Sequence, residues 1–233
     1  MKKGEIKKQE FINTAEELFC RNGYESTSVQ DIIDSLNTSK GSFYHHFISK
    51  EALLEEICSR RAEQIFTSVL RECGMVALPL RKLDILLSGM IPLRDEKLRF
   101  LLMLLPVFVL PEGRTVRYSF CDRLSSCFYR PVYEQLVSGQ QSGILYCKDP
   151  ENSASIILSI VNLLWVRISD MMINAEIIRR ETDIGKCLRM VENSRESIER
   201  MLSLPYGSVN LIDMPALKLL NEKIHNHWPQ KHL

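Results

Sequence analysis

The sequence predicts an all-α protein of two domains. Apolar residues recur at a spacing of three to four nearly throughout, strand-like alternation is weak, and no turn dipeptide sits between alternating flanks. No internal repeat is visible. The chain has 233 residues, 45% hydrophobic and 25% charged, enough to bury a real core. Lys and Arg total 30 against 29 Asp and Glu, which excludes a global polycation; any nucleic-acid binding must come from a local patch.

The first helix is read from Glu5 to Arg21, with Phe11, Ala15, Leu18 and Phe19 on one face. Asn22-Gly23 stops it, since both residues tolerate the left-handed backbone of a helix end. Thr27 with Gln30 fits a capping box opening a short second helix, whose Val29, Ile32, Ile33 and Leu36 point inward. A third short helix, capped by Thr38 or Ser39, runs to about Phe47. Ser49 caps a long fourth helix with the stripe Leu54, Cys58, Ala62, Ile65 and Val69, reaching roughly Cys73. Gly74 to Pro79 is the boundary between domains at 5–65 and 78–233. Beyond it, helices are expected near 79–90, 95–105, 114–138, 151–175, 183–203 and 213–227. Pro92, Pro106 and Pro111 are expected to punctuate them, and Pro131 to kink or break the helix that contains it.

Residues 28–47 carry the chemistry. Two short helices joined by a tight turn form the helix-turn-helix arrangement, whose second helix enters a DNA major groove. The turn Leu36-Asn37-Thr38 needs a residue of positive φ, and Asn is the best choice after Gly. Donors crowd the N-terminal end of the second helix. The candidate DNA-contacting residues are Thr27, Ser28, Gln30, Thr38, Ser39, Lys40, Gly41, Ser42, Tyr44, His45 and Lys50. Hydroxyls and an ammonium suit phosphates and base edges, Gly41 lets the backbone approach DNA, and Lys50 with a helix N-terminus can hold a phosphate. Phe43 and Phe47 are expected to face the small core.

On these residues the segment 5–65 resembles the DNA-binding domain of the tetracycline-repressor (TetR) family of bacterial regulators. The resemblance lies in Ala15, Leu18-Phe19, Gly23-Tyr24, Thr27, Asp31-Ile32, Ser39-Lys40-Gly41, Tyr44, His46-Phe47, Lys50-Glu51 and Leu53-Leu54, in the family's order and spacing. Leu36-Asn37-Thr38 departs from the family's usual Ala-Gly-Val, and Ser42-Phe43 from its Thr-Leu. The resemblance implies a homodimer that binds a palindromic operator, usually as a repressor. It also implies a larger helical domain for ligand binding and dimerisation, with the fourth helix as lever and two long C-terminal helices forming the dimer's bundle.

Charge runs against easy DNA binding. Residues 1–61 hold nine Lys and Arg against ten Asp and Glu, so Lys2, Lys3, Lys7, Lys8, Lys40 and Lys50 must gather on one side while the acids face away. In the larger domain, Phe100, Met103, Leu104, Phe108, Arg117, Tyr118, Cys121, Phe128, Tyr129 and Met171 are candidate ligand-binding residues for a hydrophobic effector. Arg117 or Arg123 would hold an acidic group on it. The stretch 154–172 is apolar on nearly all sides, and 183–203 carries Ile184, Leu188, Val191, Ile198 and Leu202 at heptad-like spacing. The helices near 151–175 and 183–203 are therefore the dimerisation candidates.

No cofactor, metal site or membrane span is expected. His45 and His46 are adjacent and point to different helix faces, and His225, His227 and His232 read as a solvated tail. The most apolar run, Phe100 to Leu110, contains Pro106 and is too short to cross a bilayer. Seven scattered cysteines without a C-x-x-C fit a reducing cytoplasm, with Cys147 expected in an exposed loop. The competing class is an enzyme on a helical bundle, but no nucleophile elbow, phosphate loop or dinucleotide fingerprint is present. A DNA-binding module whose large domain only dimerises is the third reading; an absent internal cavity would favour it.

Overall fold

Short polar side chains start most of the helices, and the computed structural model, which describes residues 3–91, 95–109, 113–178 and 180–227, places them as caps. The described residues form ten helices and no strand: α1 (Lys3–Asn22), α2 (Val29–Ser35), α3 (Lys40–His46), α4 (Lys50–Cys73) and α5 (Pro79–Met90), then α6 (Asp95–Val109), α7 (Gly113–Gln141), α8 (Pro150–Ile177), α9 (Ile184–Met201) and α10 (Met214–His227). Ser39, Ser49, Asp149 and Asp183 each accept a hydrogen bond from the third amide of the helix that follows. Lys2, Pro92, Pro111 and His232 lie outside the described residues.

Three local expectations are corrected. The cap of α2 is Ser28 rather than Thr27, and the reciprocal partner is Asp31 rather than Gln30. The shift has a cause: Thr27 is fully buried and its hydroxyl donates to the Gly23 carbonyl at 2.8 Å, so it cannot reach forward to a helix amide. Pro106 lies inside α6, and α7 continues through Pro131. Each proline costs its helix one ladder bond, which tertiary packing of these buried helices outweighs. Cys147 is buried beneath the end of α7 rather than exposed.

α1, α2 and α3 pack with the first half of α4 around Phe11, Phe19, Ile32, Phe43, Phe47, Leu53 and Leu54, all buried. Phe11 meets Phe43 edge-on at 5.6 Å between ring centroids and Phe47 at 6.3 Å. The second half of α4 leaves this head and packs on α5 and α7, so one helix is shared by both domains. α7 is the hub of the larger domain, packing against α4, α5 and α8, with α6 and α10 closing the bundle. By length and composition alone α8 is long and apolar enough to cross a membrane, which the sequence reading did not single out, and half of its most apolar window is buried inside the chain.

Candidate nucleic-acid interface

The turn between α2 and α3 is a Schellman motif. Asn37 is left-handed at φ 46°, its amide donates to the Asp34 carbonyl at 3.0 Å, and the Thr38 amide donates to the Ile33 carbonyl at 3.1 Å. This closure sets the angle at which α3 leaves α2. Phe43 and the C-cap Phe47 then pin α3 to the head's core from one side. The opposite side presents Lys40, Gly41, Tyr44 and His45 to solvent, with Tyr44 47% exposed and the Lys40 ammonium 6.0 Å from its ring centroid. Ser28, Gln30 and Ser39 are also exposed, and Thr38 and Ser42 are half-buried beside them.

Lys7, Lys8, His45 and His46 gather at this end of the head. His46, against the Phe11 ring, is held below its ordinary range by burial and then by the neighbouring positive groups His45, Lys8 and Lys7. Lys7 and Lys8 nonetheless have acidic partners, Glu10 at 2.8 Å and Glu56 at 3.0 Å. Exposed pairs of this kind are worth roughly 0–1 kcal/mol and can exchange for phosphate.

Two predicted contacts are engaged inside the head. Thr27 is buried, as described. The Lys50 ammonium donates to the carbonyls of Tyr24 (3.0 Å) and Thr27 (3.1 Å) and lies 4.1 Å from the Tyr24 ring centroid. The Tyr24 hydroxyl donates to Glu51 at 3.2 Å, so the 23–28 turn is tied to the start of α4. Lys50 thus serves as a carbonyl clamp, a role that sequence spacing does not distinguish from phosphate binding.

In the larger domain, Phe100, Met103, Leu104, Phe108 and Phe128 are brought into one buried core with Phe120 and Trp165. Phe120 lies 6.1 Å from Phe100 and 6.1 Å from Trp165 between ring centroids. Met171 is half-buried at its edge. Tyr118 is a correction: at 73% exposure it occupies the outer face of α7, because two residues along a helix from Phe120 is more than half a turn away. Tyr129 is half-buried and stacks on Tyr133 rather than on the core aromatics. Arg117 already pairs with Asp170 at 3.2 Å, and Arg123 with Glu63. Burial pushes the Asp170 carboxyl upward, against the downward pull of Arg117. The Cys121 thiol is pushed up to about 12 by burial, against the downward pull of Arg117, which disfavours the thiolate.

Sequence reasoning missed the polar seam between α7 and α8. The Asn162 amide donates to the Cys121 carbonyl (3.0 Å) and Ser125 (2.8 Å), while its oxygen accepts from the Trp165 indole (3.1 Å). Asn162, the single Asn within the apolar stretch 154–172, was the available signal. On the outside of α8, Ser155, Ile156, Ser159, Ile160 and Leu163 line a shallow uncovered apolar groove, with Leu163 53% exposed. By contrast, Val191 and Ile198 of α9 and its C-cap Leu202 are buried within the chain. Among the described residues, no three His, Cys, Asp or Glu side chains gather as a metal site.

Residues 11–57 match the family described as bacterial regulatory proteins, tetR family. An uncharacterised HTH-type transcriptional regulator of Bacillus subtilis, YuxN, is 45% identical over 64 residues, covering 28% of this chain and 22% of its own. The HTH-type transcriptional repressor KstR2 of Mycolicibacterium smegmatis is 34% identical over 77 residues, covering 33% and 38%. The chain thus spans well under half the length of these curated relatives. Over most of the chain the fold is that of a tetR-family regulator from Mesorhizobium loti, with a TM-score of 0.54 at 18% identity, covering 86% of this chain and 98% of that one. The same holds for a putative transcriptional regulator from Saccharomonospora viridis, with a TM-score of 0.53 at 21% identity, covering 84% and 96%. The all-α architecture, an N-terminal helix-turn-helix domain followed by a larger helical domain, is therefore that of TetR-family regulators.

Proposed function

We propose that the protein is a ligand-responsive, cytoplasmic DNA-binding regulator and not an enzyme, acting as a dimeric repressor of a palindromic operator. The observation that carries this reading is α3: its apolar side is pinned by Phe43 and Phe47, and its polar side, with Lys40, Gly41, Tyr44 and His45, is free. That is the disposition of a helix laid in a major groove, with Ser28, Gln30, Thr38, Ser39 and Ser42 at the flanking phosphates. Thr27 and Lys50 support the head from within. The free apolar groove of α8 supports association of two copies; their recognition helices would then reach successive major grooves, roughly 34–36 Å apart.

The buried aromatic cluster of the larger domain supports an apolar effector. Such a ligand acts as inducer when it binds more tightly to the dimer whose heads are wrongly spaced for the operator. The test is fluorescence anisotropy of the protein on duplex DNA from upstream of its own gene, at two salt concentrations, against scrambled duplex and Tyr44→Ala. Selective binding that weakens with salt and is lost in the variant is expected. Equal weak binding to both duplexes at every salt concentration, from protein shown by mass spectrometry to be ligand-free, would remove the reading.

A further inference from the structure

We propose that Arg61 is the joint through which the aromatic core of the larger domain sets the position of the DNA-binding head. This inference rests on the DNA-binding reading above. Arg61 lies near the middle of α4, between the head's core residues Leu54, Ile57 and Cys58 and the larger domain's Ile65 and Val69. Its guanidinium touches both neighbours at once. The Nε donates to Glu16 of α1, and the guanidinium carbon Cζ lies 5.5 Å from the ring centroid of Phe100 of α6.

The two contacts differ in how easily they break. Glu16 is buried, at 8% exposure, so separating it from Arg61 would strand a carboxylate out of water. Arg61 therefore stays with α1. Its contact with Phe100 is dispersion and cation–π attraction, which weakens gradually as the ring moves. Phe100 is also the first ring of the core chain that continues through Phe120 to Trp165. A molecule that enters among these rings and displaces Phe100 removes one wall from Arg61, and the Glu16–Arg61 unit moves with α1. Two further contacts, Lys8 to Glu56 and Arg60 to Asn13, join α1 to α4 beside it. Arg61 is thus a positioning residue, distinct from the residues that meet DNA.

The test is operator affinity across Glu16→Gln and Phe100→Leu, singly and together, first with Arg61 and then in Arg61→Met. With Arg61 in place the two effects are expected to be non-additive by about fivefold or more, the lower range of measured site-to-site couplings. In Arg61→Met they are expected to add, because the residue joining them is gone. Additivity in both backgrounds overturns the proposal. Arg61→Lys, which keeps a charge for Glu16 but no planar face, is expected to resemble Phe100→Leu if Arg61→Met does not fold. Amide hydrogen exchange reads the joint without DNA. Phe100→Leu is expected to speed exchange in α1 around Glu16 while α9 is unchanged; acceleration confined to α6 and α7 overturns the joint. Wild-type protein that shows no selective DNA binding defeats the functional reading alone, and the exchange experiment still decides the joint.

Discussion

Gly41 separates stability from recognition at a single atom. A Cβ there would meet only the Ser39 hydroxyl, at 3.9 Å, so Gly41→Ala is free of strain inside the protein. Alanine is the better helix former by on the order of 0.5–1 kcal/mol. Thermal unfolding of Gly41→Ala is expected to rise slightly while operator affinity falls, since the added methyl points to where a DNA backbone would lie. A variant that binds DNA as tightly as the parent would show that α3 does not approach so closely. Carboxyl groups in the head set its acid limit. Glu51 is held below its ordinary value by its own backbone amide and by the Ser49 hydroxyl, and Asp31 by the Ser28 hydroxyl and amide. A folded pKa below the unfolded one adds stability that is complete above the unfolded value and is lost as pH falls through the folded one. With ordinary values of 4.5 and 3.8, the urea midpoint is expected to hold down to about pH 5 and drop below pH 4. Glu51→Gln should start lower at pH 7 and drop less.

At the element scale, α5 crosses α4 closely at Gly89. A Cβ on Gly89 would sit 2.5 Å from one methyl of Val69 and 2.8 Å from the other. Gly89→Ala is expected to destabilise the fold by about 1–3 kcal/mol through overpacking. The double variant with Val69→Ala should recover most of that loss in a urea titration; a loss independent of residue 69 would point to the α5 backbone instead. The short helices depend on caps rather than length. With seven residues each, α2 and α3 are too short to persist alone. They are held by Ser28–Asp31, by Ser39 and by the Schellman closure at Asn37, with Phe43 and Ile32 as anchors.

For the whole molecule, the open question of assembly turns on α8. Its inner side is buried on α7 and α9, yet Ile156 and Leu163 remain in the open groove on its outer side. Leu163→Glu is expected to shift a dimer to monomer in sedimentation equilibrium and to weaken operator binding, because a palindrome rewards two linked heads. Its far-UV circular dichroism should match the parent. An unchanged sedimentation mass would exclude this face from the interface. The same scale explains why α4 matters: a single unbroken helix packs in both domains.

The sequence by itself determined the all-α class, the order and approximate span of the helices, the αL turn at Asn37 and the inward placing of Phe43 and Phe47. These follow from periodicity, capping and backbone sterics, which act over a few residues and are therefore written locally. The tertiary structure alone decided which polar side chains are free. Thr27 and Lys50 carry the right chemistry for DNA but are held by carbonyls 4 and 23–26 residues away. The same is true of Arg117 and Arg123, taken by Asp170 and Glu63, and of Tyr118, turned outward by its helical phase. The Glu16–Arg61–Phe100 contact spans three helices and leaves no trace in local spacing. A hydrogen-bond partner is fixed by where distant helices come to rest, and that position depends on the packing of the entire core.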